Sequence, residues 1–114
     1  MIECRIVGSL AALQTERDGK TMRNDRYIGI PVVSQLFSEV KDLPDLAEAI
    51  LNQLEAFFSN YNEQAGKDFK VLERNNAESA YQTIIFEIQH RHGHFMISRH
   101  KYHRDMFGIL IFFD

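Results

Sequence analysis

The sequence predicts an α+β fold in which two helices pack on one antiparallel sheet. Two β-prone segments flank a charged loop near the amino terminus, and two segments with helical periodicity follow them. Of the 114 residues, 45% are hydrophobic and 25% are charged, which is typical of a globular protein. A chain of this length is expected to form one domain, residues 1–114, with a core of its own.

Two strands are expected around the charged loop. Residues 2–13 alternate loosely, and residues 27–33 read YIGIPVV, a run rich in β-branched and aromatic side chains. Between them lies TERDGKTMRNDR, with seven charges in twelve residues and a turn dipeptide at Asp18-Gly19. Such a loop cannot be buried, and long loops are more often functional than short ones.

Residues 43–61 give the clearest helical signal in the chain. Their apolar residues recur at three- and four-residue steps: Leu43, Leu46, Ile50, Leu54 and Phe57. Pro44 suits the first turn, and the acidic residues after it suit the positive end of the helix dipole. A short strand is then expected at 67–72, and Asn75 or Asn76 can cap a second helix that runs to about residue 88.

The end of the chain differs in composition from the rest. All five histidines fall within fourteen residues, among arginines and lysines: His90, His92, His94, His100 and His103. Residues 39–55, by contrast, are acidic. Beyond Gly93, the segments HFMISRH and FGILIFFD predict two strands joined by a basic turn, so residues 91–114 form a tail of unassigned origin.

The composition argues against several classes of function. A net charge of −3 gives no electrostatic reason to bind nucleic acid or an anionic membrane. No apolar run approaches the roughly eighteen residues that a membrane helix needs. Cys4 is the only cysteine, so an intramolecular disulfide is impossible and a cytoplasmic setting is expected.

Three stretches of the chain carry a resemblance to a known family. In order they are ECRIVGSL, ERDGKTMRNDRYIGIPV and the long segment from DLPDLAEAIL to SAYQTI. They resemble soluble, single-domain, magnesium-dependent inorganic pyrophosphatases, which have a charged loop, a leucine-proline helix and a Gly-Lys-x-Phe-Lys-Val strand in the same order. The resemblance covers residues 3 to about 88 and corresponds to the carboxy-terminal half of the family's chain. It implies a partial, barrel-derived sheet with two packed helices, and Mg²⁺-dependent hydrolysis of pyrophosphate to phosphate.

The resemblance also implies residues that bind phosphate. Arg26 stands where many members have a phosphate-binding lysine, so the charge is kept while the geometry of the donors changes. Tyr61 matches the tyrosine of a phosphate-binding Tyr-Lys pair, and Asn62 replaces the lysine of that pair. Because such donors neutralise phosphate oxygens, Arg26, Tyr61 and Asn62 are the candidate phosphate-binding residues.

The metal ligands that the resemblance implies are harder to place. Mg²⁺ prefers carboxylate and water oxygens, so aspartate is the expected ligand. Asn24 stands where a carboxylate precedes the phosphate-binding position, and Asp25 beside it could substitute after a register shift. For the first aspartate of the loop, Gln14, Glu16 and Asp18 are all possible partners. Asp25 and Asp18 are therefore the candidate Mg²⁺ ligands.

The other metal-binding carboxylates of the family precede its Cys-Arg strand, so we expect a catalytic site that is incomplete and inactive alone. We also expect a homo-oligomer, formed through strands that would otherwise pair with the family's other half; the tail could fill some of those sheet positions.

Two further functions stay open. The chain could be a non-catalytic domain that keeps the fold for assembly or binding. Alternatively, His90, His92 and His94 could bind Zn²⁺, Ni²⁺ or Cu²⁺, because alternate residues of a strand share a face.

Overall fold

The computed structural model describes residues 4–90, 101–105 and 107–113. Within them lie six strands: β1 (Cys4–Thr15), β2 (Thr21–Arg23), β3 (Arg26–Pro31), β4 (Asp68–Asn76), β5 (Lys101–Arg104) and β6 (Leu110–Phe113). The same residues form two α-helices, α1 (Glu48–Gln64) and α2 (Ala77–His90), and a 3-10 helix at Leu43–Asp45. The predicted α+β class, an antiparallel sheet with two helices, is confirmed.

The sheet is built around β1, which has partners along both edges. The strand order is β2-β1-β3-β6-β5, and β4 pairs with the opposite edge of β1. All of these pairings are antiparallel. The first part of β1 pairs with β3 and its end pairs with β2. Residues 7–12 at the centre of β1, which has neighbouring strands on both sides, are all buried.

The charged loop is more regular than predicted, because it contains β2. Strand β1 runs on to Thr15, which pairs with Thr21, and the two hydroxyl oxygens lie 2.9 Å apart. Gly19 in the intervening turn has a φ of 87°, a conformation that glycine adopts without steric cost. The N–H of Lys20 donates to the Asp18 carboxylate over 2.9 Å and stabilises that turn. Apolar alternation cannot reveal β2, since all three of its residues are exposed.

The long helix predicted at 43–61 is divided in two. Asp42 caps the 3-10 helix: its carboxylate accepts from the N–H of Leu43, and its own N–H donates to the Asp45 carboxylate. The next residue after this turn is extended, with φ −82° and ψ 142°, and α1 begins two residues later. The Asp42 carboxylate also accepts from the N–H of Ala77, the first residue of α2, over 2.9 Å. One aspartate therefore fixes both the 3-10 helix and the start of α2.

The second helix begins where the sequence predicts. Asn76 Oδ1 accepts from the N–H of Ser79 over 2.9 Å, so Asn76 supplies the side-chain cap. Strand β4 is longer than predicted because β1 offers it backbone partners as far as Gly8. A side chain at Gly8 would not fit, since its Cβ would lie 2.6 Å from the Asn75 carbonyl oxygen and 2.8 Å from Leu43 Cβ. No described helix is both long and apolar enough to cross a membrane.

The tail contributes to the core on both faces of the sheet. Strand β6, within the FGILIFFD segment, pairs with β3. Its residue Ile111, together with Ile109 just before the strand, belongs to the larger core cluster, which includes residues of α1. Leu110 and Phe112 pack in a second cluster with Ala80 of α2. Alternate residues of this segment are thus buried on opposite faces. The segment HFMISRH, predicted as a strand, lies outside the described residues.

Candidate functional site

Arg26, the first residue of β3, has a buried side chain with only 3% of its surface exposed. Its Nη1 donates to Asn24 Oδ1 over 2.7 Å, and its Nη2 donates to Gln14 Oε1 over 3.1 Å. The guanidinium carbon also lies 4.9 Å from the centre of the Phe58 ring and 5.1 Å from that of Phe69. Oriented amide oxygens and aromatic faces are the kind of environment in which a buried cation is tolerated.

A chain of hydrogen bonds connects the buried Arg26 side chain to the surface. We call Gln14, Asn24 and Arg26 the amide–arginine cluster. Asn24 Nδ2 donates to Gln14 Oε1 over 3.0 Å, and Gln14 Nε2 donates to Glu16 Oε1 over 2.9 Å. The second Glu16 oxygen lies 3.0 Å from Lys67 Nζ. Because Glu16 can only accept from the Gln14 amide, it turns the Gln14 oxygen toward Arg26.

Glu16 is held in its ionised form by these neighbours. Hydrogen bonds from Lys67 first, and from Gln14 second, lower the pKa of Glu16 below its ordinary value of 4.5. The carboxylate therefore stays ionised, and able to accept from Gln14, to a lower pH than a glutamate without these partners.

The charged loop meets the carboxyl end of α1. Arg17 Nε donates to the carbonyl of Ala65 over 2.6 Å, and the N–H of Lys67 donates to the carbonyl of Asn62 over 2.8 Å. The Asn62 side chain is buried and donates to the carbonyl of Phe58 over 2.8 Å. The negative end of the helix dipole, at the carboxyl end of α1, also stabilises these nearby cations. The loop and helix end that the resemblance implies as parts of one site thus lie together.

Tyr61 lies on a different face of α1 from Asn62. Its ring stacks on Phe57 with 6.0 Å between ring centres, and 59% of the residue is exposed. Residues four apart share a helix face, so Tyr61 belongs with Phe57, while Asn62 belongs with the buried Phe58 that packs on Arg26. The structure brings Arg26 close to the Asn62 face and leaves Tyr61 at the exposed rim.

The two candidate metal ligands have other partners. Asp25 accepts from the N–H of Ala12 over 3.1 Å and from Arg23 over 3.0 and 3.1 Å. The hydrogen bonds between Arg23 and Asp25 raise the pKa of Arg23. Asp18 accepts from the N–H of Lys20 at the exposed turn. In the part of the chain that the structure describes, no three His, Cys, Asp or Glu side chains are grouped as a metal site would require.

The donor set of the amide–arginine cluster does not fit Mg²⁺. Mg²⁺ needs several oxygen ligands, at least some of them carboxylates. Here the oxygens of Gln14 and Asn24 are neutral and already accept from Arg26. The nearest carboxylate in the chain of hydrogen bonds, Glu16, is paired with Lys67. A divalent cation at these oxygens would also lie against the guanidinium charge.

The histidine hypothesis is only partly covered by the structure. His90 is the last residue of α2. His92 and His94 lie outside the described residues, so transition-metal binding stays a prediction.

Sequence reasoning missed two residues of this site. Lys67 and Phe69 lie in the segment that predicts an ordinary strand, and nothing in their spacing marks them. Both contacts, Lys67 with Glu16 and Phe69 with Arg26, join elements far apart in sequence, whereas local periodicity reports only nearby residues. The Gly-Lys-x-Phe pattern of the resemblance is the one signal that could have identified them.

Comparison with known proteins agrees with the geometry. A family model described as inorganic pyrophosphatase matches residues 1–92. The chain is also 29% identical, over 85 residues, to an inorganic pyrophosphatase of Haloferax volcanii. That alignment covers 74% of this chain and 45% of the relative, so the chain spans about half the length of the curated relative it matches. Because the family model covers most of its residues, the chain belongs to the inorganic pyrophosphatase family.

Proposed function

We propose that this chain binds inorganic pyrophosphate, or the phosphate formed from it, where the charged loop meets the carboxyl end of α1. Family membership supports the class of ligand. The place is supported by one observation: buried Arg26 is linked through Gln14 and Glu16 to Lys67 at the surface. We further propose that the described residues do not hydrolyse pyrophosphate by themselves, because their donor set does not fit Mg²⁺.

Each residue has a distinct part in this proposal. Arg17 and Lys67 are accessible cations at the rim and would meet the phosphate oxygens first, through charge-assisted hydrogen bonds. Arg26 adds a fixed positive charge behind them, in an interior where charges act more strongly than in water. Tyr61 would supply a hydroxyl donor from the exposed face, and Asn62 would keep the end of α1 in position through its bond to Phe58. Hydrolysis would need additional carboxylates, from another chain or from residues beyond those described.

Calorimetric titration with pyrophosphate tests the binding. Lys67→Gln should weaken binding about tenfold, the effect of one charge-assisted hydrogen bond. Arg74→Gln is the matched control, because it removes a cation whose partners lie on α1 instead. Wild-type protein that takes up no pyrophosphate would overturn the proposal, and so would equal losses in the two variants.

A phosphate-release assay tests the second part of the proposal. Wild-type protein with Mg²⁺ and pyrophosphate should release no phosphate above the buffer rate. Release that disappears in Arg26→Ala, with circular dichroism showing that the variant is folded, would contradict it and make the chain a hydrolase in its own right.

Assembly is the second candidate function, and the sheet edges favour it. Strands β5 and β4 lie at the two sides of the described sheet, and exposed strand edges are surfaces on which proteins associate. Val33 and Leu36, in the segment after β3, are 88% and 69% exposed. We therefore propose a homo-oligomer. The single cysteine and the net charge of −3 are the reasons to propose, in addition, a cytoplasmic setting and no role in nucleic-acid or membrane binding. Light scattering at micromolar concentration should give more than the monomer mass, and a monomer would reject this candidate.

A further inference from the structure

We infer that Gln14 and Asn24 determine which cation this site holds: as neutral amides they fix the guanidinium of Arg26 and exclude a divalent metal ion. Pyrophosphate binding should then need no metal. This inference rests on the proposed function for its ligand, but its central claim concerns the cation alone and can be tested without any phosphate.

The first step of the argument is geometric. The Gln14 oxygen accepts from both Asn24 Nδ2 and Arg26 Nη2, and the Asn24 oxygen accepts from Arg26 Nη1, at distances of 2.7 to 3.1 Å. An amide oxygen has two lone pairs, so both acceptor positions of the Gln14 oxygen are used. A metal ion could reach the Gln14 oxygen only by displacing one of these donors, and at the Asn24 oxygen it would lie beside the arginine.

The second step concerns the cost of that displacement. Arg26 is 3% exposed and packs on the rings of Phe58 and Phe69, so its side chain cannot leave without opening the core. A divalent ion that stayed beside it would face a like charge in a region of low dielectric. Neutral amide oxygens attract Mg²⁺ too weakly to compensate for this repulsion.

The third step is what the same positions would do as carboxylates. Gln14 Nε2 lies 2.9 Å from a Glu16 oxygen, and Asn24 Nδ2 lies 3.0 Å from the Gln14 oxygen. The near-isosteric changes Gln14→Glu and Asn24→Asp would therefore place two adjacent carboxylates at the Arg26 position, with the carboxylate of Glu16 next to them. Oxygen ligands of this kind and number bind Mg²⁺ or Mn²⁺. The two amide nitrogens of residues 14 and 24, together with the guanidinium of Arg26, are what separate this site from a metal site.

Melting experiments with metal alone test this claim. Wild-type protein should melt at the same temperature with Mg²⁺, with Mn²⁺ or with EDTA. The variant Q14E/N24D/R26M should be unstable in EDTA, because its carboxylates repel one another, and should be stabilised when Mn²⁺ is added. The variant R26M alone is the matched control and should show no response to metal. Wild-type protein stabilised by Mn²⁺, in a way that Asn24→Ala abolishes, would overturn the inference.

A second arm keeps the inference testable if the triple variant does not fold. Calorimetric titration of wild-type protein with pyrophosphate in EDTA should give a dissociation constant within about threefold of that measured with Mg²⁺. Binding that appears only with Mg²⁺ would overturn the inference and leave the proposed function intact. Wild-type protein that binds no pyrophosphate under either condition would overturn the proposed function, while the metal titration still decides the identity of the cation.

Discussion

Two arginines of this protein hold neighbouring elements together by opposite means. Arg74 on β4 donates to the carboxylates of Glu48 and Glu55 and to the Asn52 amide oxygen, all on α1. Its side chain is 28% exposed. Arg26 on β3 is buried and donates to amide oxygens. The charge of Arg74 is paired with carboxylates near the surface, whereas the charge of Arg26 is stabilised in the interior by amide oxygens and aromatic rings.

The difference shows where each arrangement contributes to stability. Hydrogen bonds from Arg74 to Glu55, and then to Glu48, raise the pKa of that arginine, but exposed ion pairs in water contribute little to folding. In the amide–arginine cluster Gln14 and Arg26 are buried and Asn24 is half-buried, so water has little access to replace a lost partner. Removing one member there leaves the others buried with unsatisfied groups, which is costly.

The largest effect is expected for Arg26→Ala. The change removes the Arg26 donors from the oxygens of buried Gln14 and half-buried Asn24, although Gln14 keeps its bond from Asn24, and it leaves a cavity beside Phe58. A lost buried hydrogen bond costs about 1–3 kcal/mol and the cavity adds to that, so the free energy of unfolding should fall by about 3 kcal/mol. Urea denaturation at neutral pH measures it. A loss below about 1 kcal/mol would show that the interior here is as wet as the surface around Arg74.

A smaller net effect is expected when the whole cluster becomes apolar. The variant Q14L/N24L/R26M removes donors and acceptors together, and replacing a buried polar group in full is often nearly neutral. It should recover more than half of the stability that Arg26→Ala loses, again by urea denaturation. A triple variant that is less stable than Arg26→Ala would contradict this, and would show that the cluster stabilises the fold by more than the hydrogen bonds among its own members.

The pH dependence of stability should report on Glu16. Its pKa is lower in the folded protein than the ordinary 4.5, so Glu16 binds fewer protons when folded. Its contribution is present above that ordinary value and is lost as the pH falls through the folded pKa. Melting temperatures of wild type and Glu16→Gln should therefore differ at neutral pH and converge on acidification. A difference in melting temperature that stays constant down to low pH would show that the charge of Glu16 does not contribute to stability.

The sequence predicted the fold better than the site, for a physical reason. The first strands, the main helix and the Asn76 cap were found because their signals lie within a few neighbouring residues. The break before α1 was not found, because Leu43 and Leu46 continue the helical spacing across it, although the backbone at Leu46 is extended.

Prediction of the candidate site was limited in the same way. The resemblance identified Arg26, but could not choose between Gln14, Glu16 and Asp18 for a second position. Of these three residues Gln14 is the one whose side chain accepts from Arg26, and Glu16 lies one hydrogen bond further out. Asp25 turns instead to the Ala12 N–H, an arrangement that spacing alone could not show.

The smallest effect is expected for Arg74→Ala, and salt should distinguish it from Arg26→Ala. Exposed ion pairs are typically worth about 0.2–1 kcal/mol, so the loss in unfolding free energy should be within that range. At high salt the loss should shrink, since ions screen the attraction of Glu48 and Glu55 for Arg74. The loss caused by Arg26→Ala should hardly change, because its partners are neutral amides in the interior. Urea denaturation of both variants at low and high NaCl measures this, and equal salt sensitivity would mean that oriented dipoles and paired charges hold these two arginines in the same way.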